Sequence, residues 1–351
     1  MKKVLIDLSV LKHINCGLGQ IAYNYARYWG ENARNLDFEI HFLLPKQYVG
    51  AFGDDVHYHG ISWHYGLTKF FAPAYDVWHS MHQMSRFMPV SKKSRNLLTV
   101  HDINFIYEKS GKSLDKYTAK FTQRINRADR IIFISNFTRN DVLTHFPTDK
   151  PNEVVYNGVE FGNPADERKP ELPFGNDRKF LFSIGQIRQK KNFHVLLDAM
   201  KLLPEYELIV AGEKGSDYAQ MIDKRIADEG INNVHFIGTI HNSEKIWLYN
   251  HCEAFVFPSL FEGFGLPVIE AMSYGKPVIS SDQTSLKEIC ADHAFILENF
   301  QPDHIAQKIK AGIEAYAKDP ALAKSNTEYA HTFTYDRHMK EYLRIYREML
   351  K

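Results

Sequence analysis

Residues 254–282 read AFVFPSLFEGFGLPVIEAMSYGKPVISSD. An apolar, aromatic run, AFVFPS (254–259), leads into a turn holding Gly263 and Gly265. Pro267 then stands where a first helical turn begins, and a second apolar run, PVISSD (277–282), closes the stretch. Strand, glycine turn, helix and strand in about thirty residues is a βαβ unit of a parallel sheet. The glycines let the backbone approach a ligand, and the helix N-terminus offers unpaired N–H groups with a partial positive charge, so the turn is a candidate anion site. Glu262 and Glu270 flank it, eight positions apart. A carboxylate about one turn into the helix suits a ribose, and one ahead of the turn suits a second polyol. The same residues also suit a plain turn whose acids complement the helix dipole, and this stretch alone does not separate the two readings.

The alternation continues on both sides. Upstream lie the strands KFLFSIG (179–185), YELIVAG (206–212) and VHFIG (234–238), with helices at 192–203, 216–229 and 243–250 between them. The first half repeats the architecture without repeating the sequence. Strands are expected at 4–10, 38–44, 75–81, 96–102 and 130–135, and helices at 21–32 and 113–129. GNPADERKPELPFGND (162–177) reads as a linker. The expected fold is therefore α/β, with two Rossmann-like doubly wound domains, 1–165 and 166–334, facing a central cleft. Ligands of such sheets bind beyond the carboxyl ends of the strands. The amphipathic segment 335–351 reads as a helix that docks, with the N-terminal domain as one candidate surface.

Composition narrows the class. The chain has 351 residues, 44% apolar and 24% charged, with net charge +1, which leaves no overall nucleic-acid footprint. Cys16, Cys252 and Cys290 have no paired or zinc-ligand spacing and suit a reducing compartment. No apolar run approaches the roughly 18 residues of a spanning helix. MKKVLIDLSVL is read as a first strand and not as a signal segment, because Asp7 interrupts it, and the expected location is cytoplasmic.

A second loop, GQIRQKKN, sets Arg188, Lys190 and Lys191 between a strand and a helix. Cations there, beside a phosphate-binding turn, would pair with a diphosphate, although alone such a cluster is more often a solvated face. Together, EGFGLPVIEAMSYGKPVI, GQIRQKKN, IVAGEKG, VHFIGTIHN and SDQTSLKEI resemble, nearly end to end, the large retaining family of nucleotide-sugar glycosyltransferases with the GT-B fold, of the family 4 or group 1 type. The resemblance implies that Lys190 and Lys191 neutralise a diphosphate and that Glu270 holds ribose hydroxyls. Glu262 and the backbone of Phe264, Gly265 and Leu266 would meet the donor sugar and phosphates. Ile240 and His241 would border the base. Lys190 stands where arginine is more usual, and Gln186 also departs from a position that often carries arginine. In the first half, Gly17 and Gly19 resemble the family's first glycine loop, and His101 with Asp102 resembles its His-Asp site beside the donor sugar.

The implied reaction is retaining transfer of a hexose, with mannose from GDP-mannose as the favoured choice. The donor is a UDP- or GDP-sugar and the acceptor a glycan or lipid-linked saccharide, as in lipopolysaccharide or other polysaccharide biosynthesis. No Asp-x-Asp occurs, so no metal and no further cofactor are expected in the reaction. Two other enzyme readings stay beside it. A nucleotide-sugar epimerase can share the fold. Gly17, Gly19 and Ala22 match a dinucleotide G-x-G-x-x-A pattern, but the loop from Lys12 to Cys16 is long and the strand ending FLLPK lacks the ribose-binding acid of an oxidoreductase. A non-catalytic sugar-nucleotide sensor is a third class. His79 and His82 are balanced between cleft-lining and structural roles. Lys112, Lys116, Lys120 and Arg124 recur every four residues, which suits a solvated helix face or, less often, contact with an anionic membrane at its inner face.

Overall fold

The computed structural model describes residues 1–14, 17–61, 74–89 and 91–351. Cys16, with the end of the loop it closes, lies outside them. The chain forms two units, Met1–Gly158 with Tyr335–Lys351, and Val159–Thr334. The boundary precedes the expected one at 165, because the proline- and charge-rich stretch opens the second unit.

In the first unit, β1 (Lys2–Asp7) leads to α1 (Gly17–Asn32), β2 (Phe38–Pro45), β3 (His57–Ile61), β4 (Val77–Ser80) and β5 (Arg95–Val100). The short α2 (Phe105–Glu108), then α3 (Gly111–Arg127), β6 (Arg130–Phe133), α4 (Asn136–His145) and β7 (Asn152–Val154) follow. Among the described residues, seven strands run parallel in the order β3-β2-β1-β4-β5-β6-β7. Helix α1 starts at Gly17, ahead of the expected Ile21, so the glycine pair forms its first turn. Gly19 packs there against the chain: a Cβ would stand 2.1 Å from the His13 carbonyl oxygen.

The second unit runs β8 (Lys179–Ile184), α5 (His194–Lys201), β9 (Tyr206–Ala211), α6 (Asp217–Glu229), β10 (Val234–Gly238), α7 (Asn242–His251) and β11 (Ala254–Phe257). It continues with α8 (Leu266–Ser273), β12 (Val278–Ser281), α9 (Leu286–Cys290), β13 (Phe295–Leu297), α10 (Pro302–Lys318) and α11 (Ala321–Ala330). Its six parallel strands lie in the order β10-β9-β8-β11-β12-β13. Leu181, Leu208, Val210, Val256 and Ile279 meet Leu196, Leu197 and Met200 of α5 and Ile305 and Ile309 of α10 in one core. Strands covered on both faces read as apolar runs, which is why these were legible in the sequence.

In each sheet the winding reverses once, between β1 and β4 and between β8 and β11. At such switch points the loops leaving adjacent strands diverge and open a crevice at the carboxyl edge.

The last helix, α12 (Tyr335–Leu350), belongs to the first unit and buries His338, Met339, Tyr342, Ile345, Tyr346 and Met349. Its polar groups close a network with the sheet and α1. His79 Nδ1 lies 2.6 Å from Tyr346 Oη, His79 Nε2 lies 2.8 Å from Thr99 Oγ1, and Thr99 Oγ1 lies 2.9 Å from Tyr342 Oη. Tyr25 Oη is 3.2 Å from Tyr346 Oη. His79 therefore sits under α12 and lines no crevice. Burial, with His101 and His338 nearby, pushes its pKa down to about 3, so it stays neutral.

The basic repeat on α3 is likewise not one continuous face. Lys112 and Lys116 are exposed, but Lys120 Nζ donates to the Met84 carbonyl at 2.8 Å. Arg124 is buried and donates to the Ser85 carbonyl. Cys252 and Cys290 are buried free thiols, and burial raises both to about 12. Among the described residues, no helix is long and apolar enough to cross a membrane.

Candidate functional site

The loops leaving β8 and β11 meet at the switch point of the second sheet. Leu260 N donates to the Lys190 carbonyl at 2.8 Å, and Ser259 Oγ lies 3.1 Å from the same oxygen, so the lysine loop and the glycine turn are held as one piece. Across this junction Lys191 Nζ donates to Glu262 Oε1 at 2.5 Å, with side chains only 13% and 15% exposed. Ser259 Oγ donates to the same carboxylate oxygen at 2.7 Å, and Lys191 also lies over the Phe257 ring at 5.0 Å. Arg188 is exposed at the head of the loop, and Gln186 bonds Glu213.

The turn after Glu262 is fixed by the two residues just ahead of α9. Glu262 N donates to Thr284 Oγ1 at 3.0 Å, and Ser285 Oγ lies 2.8 and 3.0 Å from the carbonyl oxygens of Glu262 and Phe264. Thr284 has φ 56°, an unusual conformation for a β-branched residue, of the kind that concentrates at binding sites. Gly265 caps α8 with φ 110°, and a Cβ on it would stand 2.7 Å from Leu286 Cδ2. No side chain caps α8, and Pro267 lies in its first turn. First-turn N–H groups therefore lack a side-chain acceptor, and the helix start can receive an anion.

Glu270 lies one turn into α8. Its carboxylate accepts from Lys245 Nζ at 2.8 Å and from Tyr249 Oη at 2.9 Å, both on α7. A carboxylate offers about four lone-pair sites, so this anchored group retains capacity for two hydroxyls. At the start of α7, His241 caps the helix in a capping box with Glu244, and Ile240 precedes it in the loop from β10. The second unit thus assembles Lys190, Lys191, Glu262, Phe264, Gly265, Leu266 and Glu270 around the start of α8, with Ile240 and His241 on the adjoining helix cap. Sequence reading did not single out Ser259, Lys245, Tyr249, Thr284 or Ser285. The Thr-Ser pair within SDQTSLKEI was the one available signal for the last two.

In the first unit, Gly17 and Gly19 lie at the start of α1 and His101 with Asp102 just past β5, on the carboxyl edge of that sheet. His101 is buried. Its ring Nε2 lies 2.8 Å from the Met81 carbonyl and acts as donor, and its backbone N–H donates to Gln83 Oε1 at 3.1 Å. Burial lowers its pKa to about 4, against a smaller raising effect of the Met81 bond, so the ring is neutral near pH 7. Asp102 Oδ1 accepts from Asn104 N at 3.1 Å, and its carbonyl accepts from Gln83 Nε2 at 2.7 Å. His82 is half-buried beside His101, ring centroids 6.2 Å apart, with Nδ1 accepting from Met84 N.

Two doubly wound sheets in tandem, each with one switch point, define the GT-B class of α/β proteins. HepE of Anabaena, in complex with UDP and glucose, shares the fold, with a TM-score of 0.75 and 17% identity over 98% of this chain and 99% of that one. A family model described as glycosyl transferases group 1 matches residues 164–330, and one described as glycosyltransferase family 4 matches residues 26–162. The chain belongs to this group 1, family 4 type of glycosyltransferases. O-antigen chain mannosyltransferase B of Escherichia coli is 29% identical over 239 residues, 63% of this chain and 61% of the relative. D-rhamnosyltransferase WbpZ of Pseudomonas aeruginosa is 29% identical over 207 residues, 56% of this chain and 53% of the relative. The chain thus spans between half and two thirds of the length of these curated relatives.

Proposed function

We propose that the protein is a retaining hexosyltransferase that takes a hexose from a nucleoside diphosphate sugar and passes it to a saccharide acceptor. The observation that carries this reading is the Lys191–Glu262 pair at the start of α8, which has no side-chain cap, with Glu270 anchored one turn further on. A cation, free amides and a carboxylate set along one helix start suit, in order, a diphosphate and a ribose. Glu262 is then placed for the hydroxyls of the donor sugar. Lys190, Lys191 and the α8 amides stabilise the charge on the departing diphosphate without a metal, acting where negative charge develops. No carboxylate is assigned as a nucleophile. The leaving phosphate oxygen takes the proton of the acceptor hydroxyl, and attack comes from the face it leaves.

Neutral His101, with Asp102 beside it, offers a hydrogen-bonding edge past the carboxyl end of β5 in the first unit. Mannose is the first hexose to test: the relatives' names carry mannose and D-rhamnose, which share the manno configuration, and an O-antigen chain as the product class. A cytoplasmic site of action, with acceptors at the inner face of the membrane, fits a lipid-linked saccharide.

The test is a thermal-shift screen of UDP, GDP and their hexose conjugates, since a ligand bound only by the native state raises its stability. It is followed by incubation of the stabilising donor with saccharide acceptors. Stabilisation by one nucleotide series, and product with the anomeric configuration of the donor, are expected. Conversion of the donor sugar without transfer would make the protein an epimerase, and an inverted product would overturn retention.

A further inference from the structure

We propose that Glu39, His41 and His57 form a binding site for a divalent transition metal, of the Zn²⁺ type, at the edge of the first sheet. Side chains two apart on a strand share a face, so Glu39 and His41 project from the same side of β2. The edge strand β3 pairs with it so that His57 stands beside His41 and His59 beside Leu43. The donor atoms of Glu39, His41 and His57 all lie within 4.8 Å of one another. His41 Nε2 is 3.1 Å and His57 Nε2 3.8 Å from Glu39 Oε2. Zinc bonds of about 2.0–2.1 Å in tetrahedral geometry separate donors by about 3.3 Å. Of the three pairs, Glu39–His41 already has that spacing, Glu39–His57 needs about half an ångström, and His41–His57, within 4.8 Å, closes as His57 turns. That side chain is 58% exposed and can turn out of its stack on His41.

The surroundings of His41 fit ligation. Its other nitrogen, Nδ1, lies 3.1 Å from His59 Nε2, which in turn lies 3.2 Å from Tyr75 Oη. When a metal holds Nε2, Nδ1–H donates to His59, the hydrogen bond that orients a ligating imidazole. Two imidazoles and one carboxylate suit Zn²⁺, Ni²⁺ or Cu²⁺ more than Mg²⁺ or Ca²⁺. Exposed His57 leaves room for water as the fourth ligand. Lys3 Nζ, 3.8 Å from Glu39 Oε2, is the cation that such an ion displaces. This set is independent of the donor-binding residues of the second unit. Its effect is to fasten β3 to β2.

The full chain, stripped with a chelator, is titrated with Co²⁺ and then Zn²⁺. The expected result is one Co²⁺ per chain with visible d–d absorption, displaced by Zn²⁺, and a melting temperature raised by Zn²⁺. Glu39→Gln and His57→Ala, both outside the core, should lower affinity at least about tenfold. Lys3→Ala should hold or raise it. The absence of a one-to-one ion, or affinity unchanged in both ligand variants, overturns the site; the latter would place the ion on others of the 17 histidines.

Discussion

Replacing Glu262 by glutamine should tighten the binding of a nucleoside diphosphate while suppressing sugar transfer. In the free protein Lys191 is held by Glu262 at 2.5 Å, with side chains 13% and 15% exposed. Exposed pairs contribute about 0.2–1 kcal/mol, and loss of one partner of a fully buried pair costs about 3–5 kcal/mol. A pair with this partial access falls between, at about 1–2 kcal/mol. UDP or GDP without a sugar must draw Lys191 away from the carboxylate and then lie beside it as a like charge. The amide removes both penalties, so affinity should rise by about 1–2 kcal/mol, or about 5–30-fold. Lys191→Met should act in the opposite sense. Loss of a charge-assisted bond to the diphosphate costs about 1.5–3 kcal/mol, or about 10–150-fold. Isothermal titration of both nucleotides against the wild type, the two single variants and the double variant gives all the terms. Weaker nucleotide binding by Glu262→Gln, with the fold intact, would mean that the carboxylate does not compete with the diphosphate for Lys191.

Gly265→Ala should destabilise the protein by about 2–3 kcal/mol in urea unfolding, because φ 110° is strained for alanine and its Cβ meets Leu286 Cδ2 at 2.7 Å. Tyr346→Phe leaves His79 Nδ1 without its partner at 2.6 Å and should cost about 1–3 kcal/mol in the same assay. The first unit should also weaken in mild acid. His79, His101 and His338 are held at about 3, 4 and 4, below their unfolded value of about 6.5, so the unfolded chain takes up protons that the folded chain refuses. Their contribution is complete above pH 6.5 and is lost progressively as pH falls toward those folded values. Urea midpoints should therefore drop between pH 7.5 and pH 5, and a flat profile would contradict the burial assigned to these rings.

The second unit was the more legible in the sequence because its strands are covered on both faces, and α6, α8 and α9 follow Ser216, Gly265 and Ser285. Strand β3 went unread: HYHGI alternates histidine and tyrosine, which gives no apolar period. Strand β13 is three residues long, too short to show a pattern. Among the site residues, Glu262, Glu270 and Gly265 announce themselves by spacing and turn chemistry, and the structure sets them around one helix start. Their supports do not, because Lys245, Tyr249, Thr284 and Ser285 reach the site from other elements, and only the fold shows which face they present. His79 shows the converse. A histidine at a strand's carboxyl end can point to either side of the sheet, and α12, from the far end of the chain, decides that it is buried. The basic repeat of α3 likewise ends on backbone carbonyls of the segment after β4, which spacing alone could not reveal.

The start of α8 should receive the diphosphate of the donor. A crystal structure of the protein with UDP or GDP tests it directly. The diphosphate should lie against the amides at Gly265 and Leu266 and on Lys190 and Lys191, with the ribose hydroxyls on Glu270. A nucleotide seated instead at Gly17 and Gly19 on α1, with α8 empty, would contradict it.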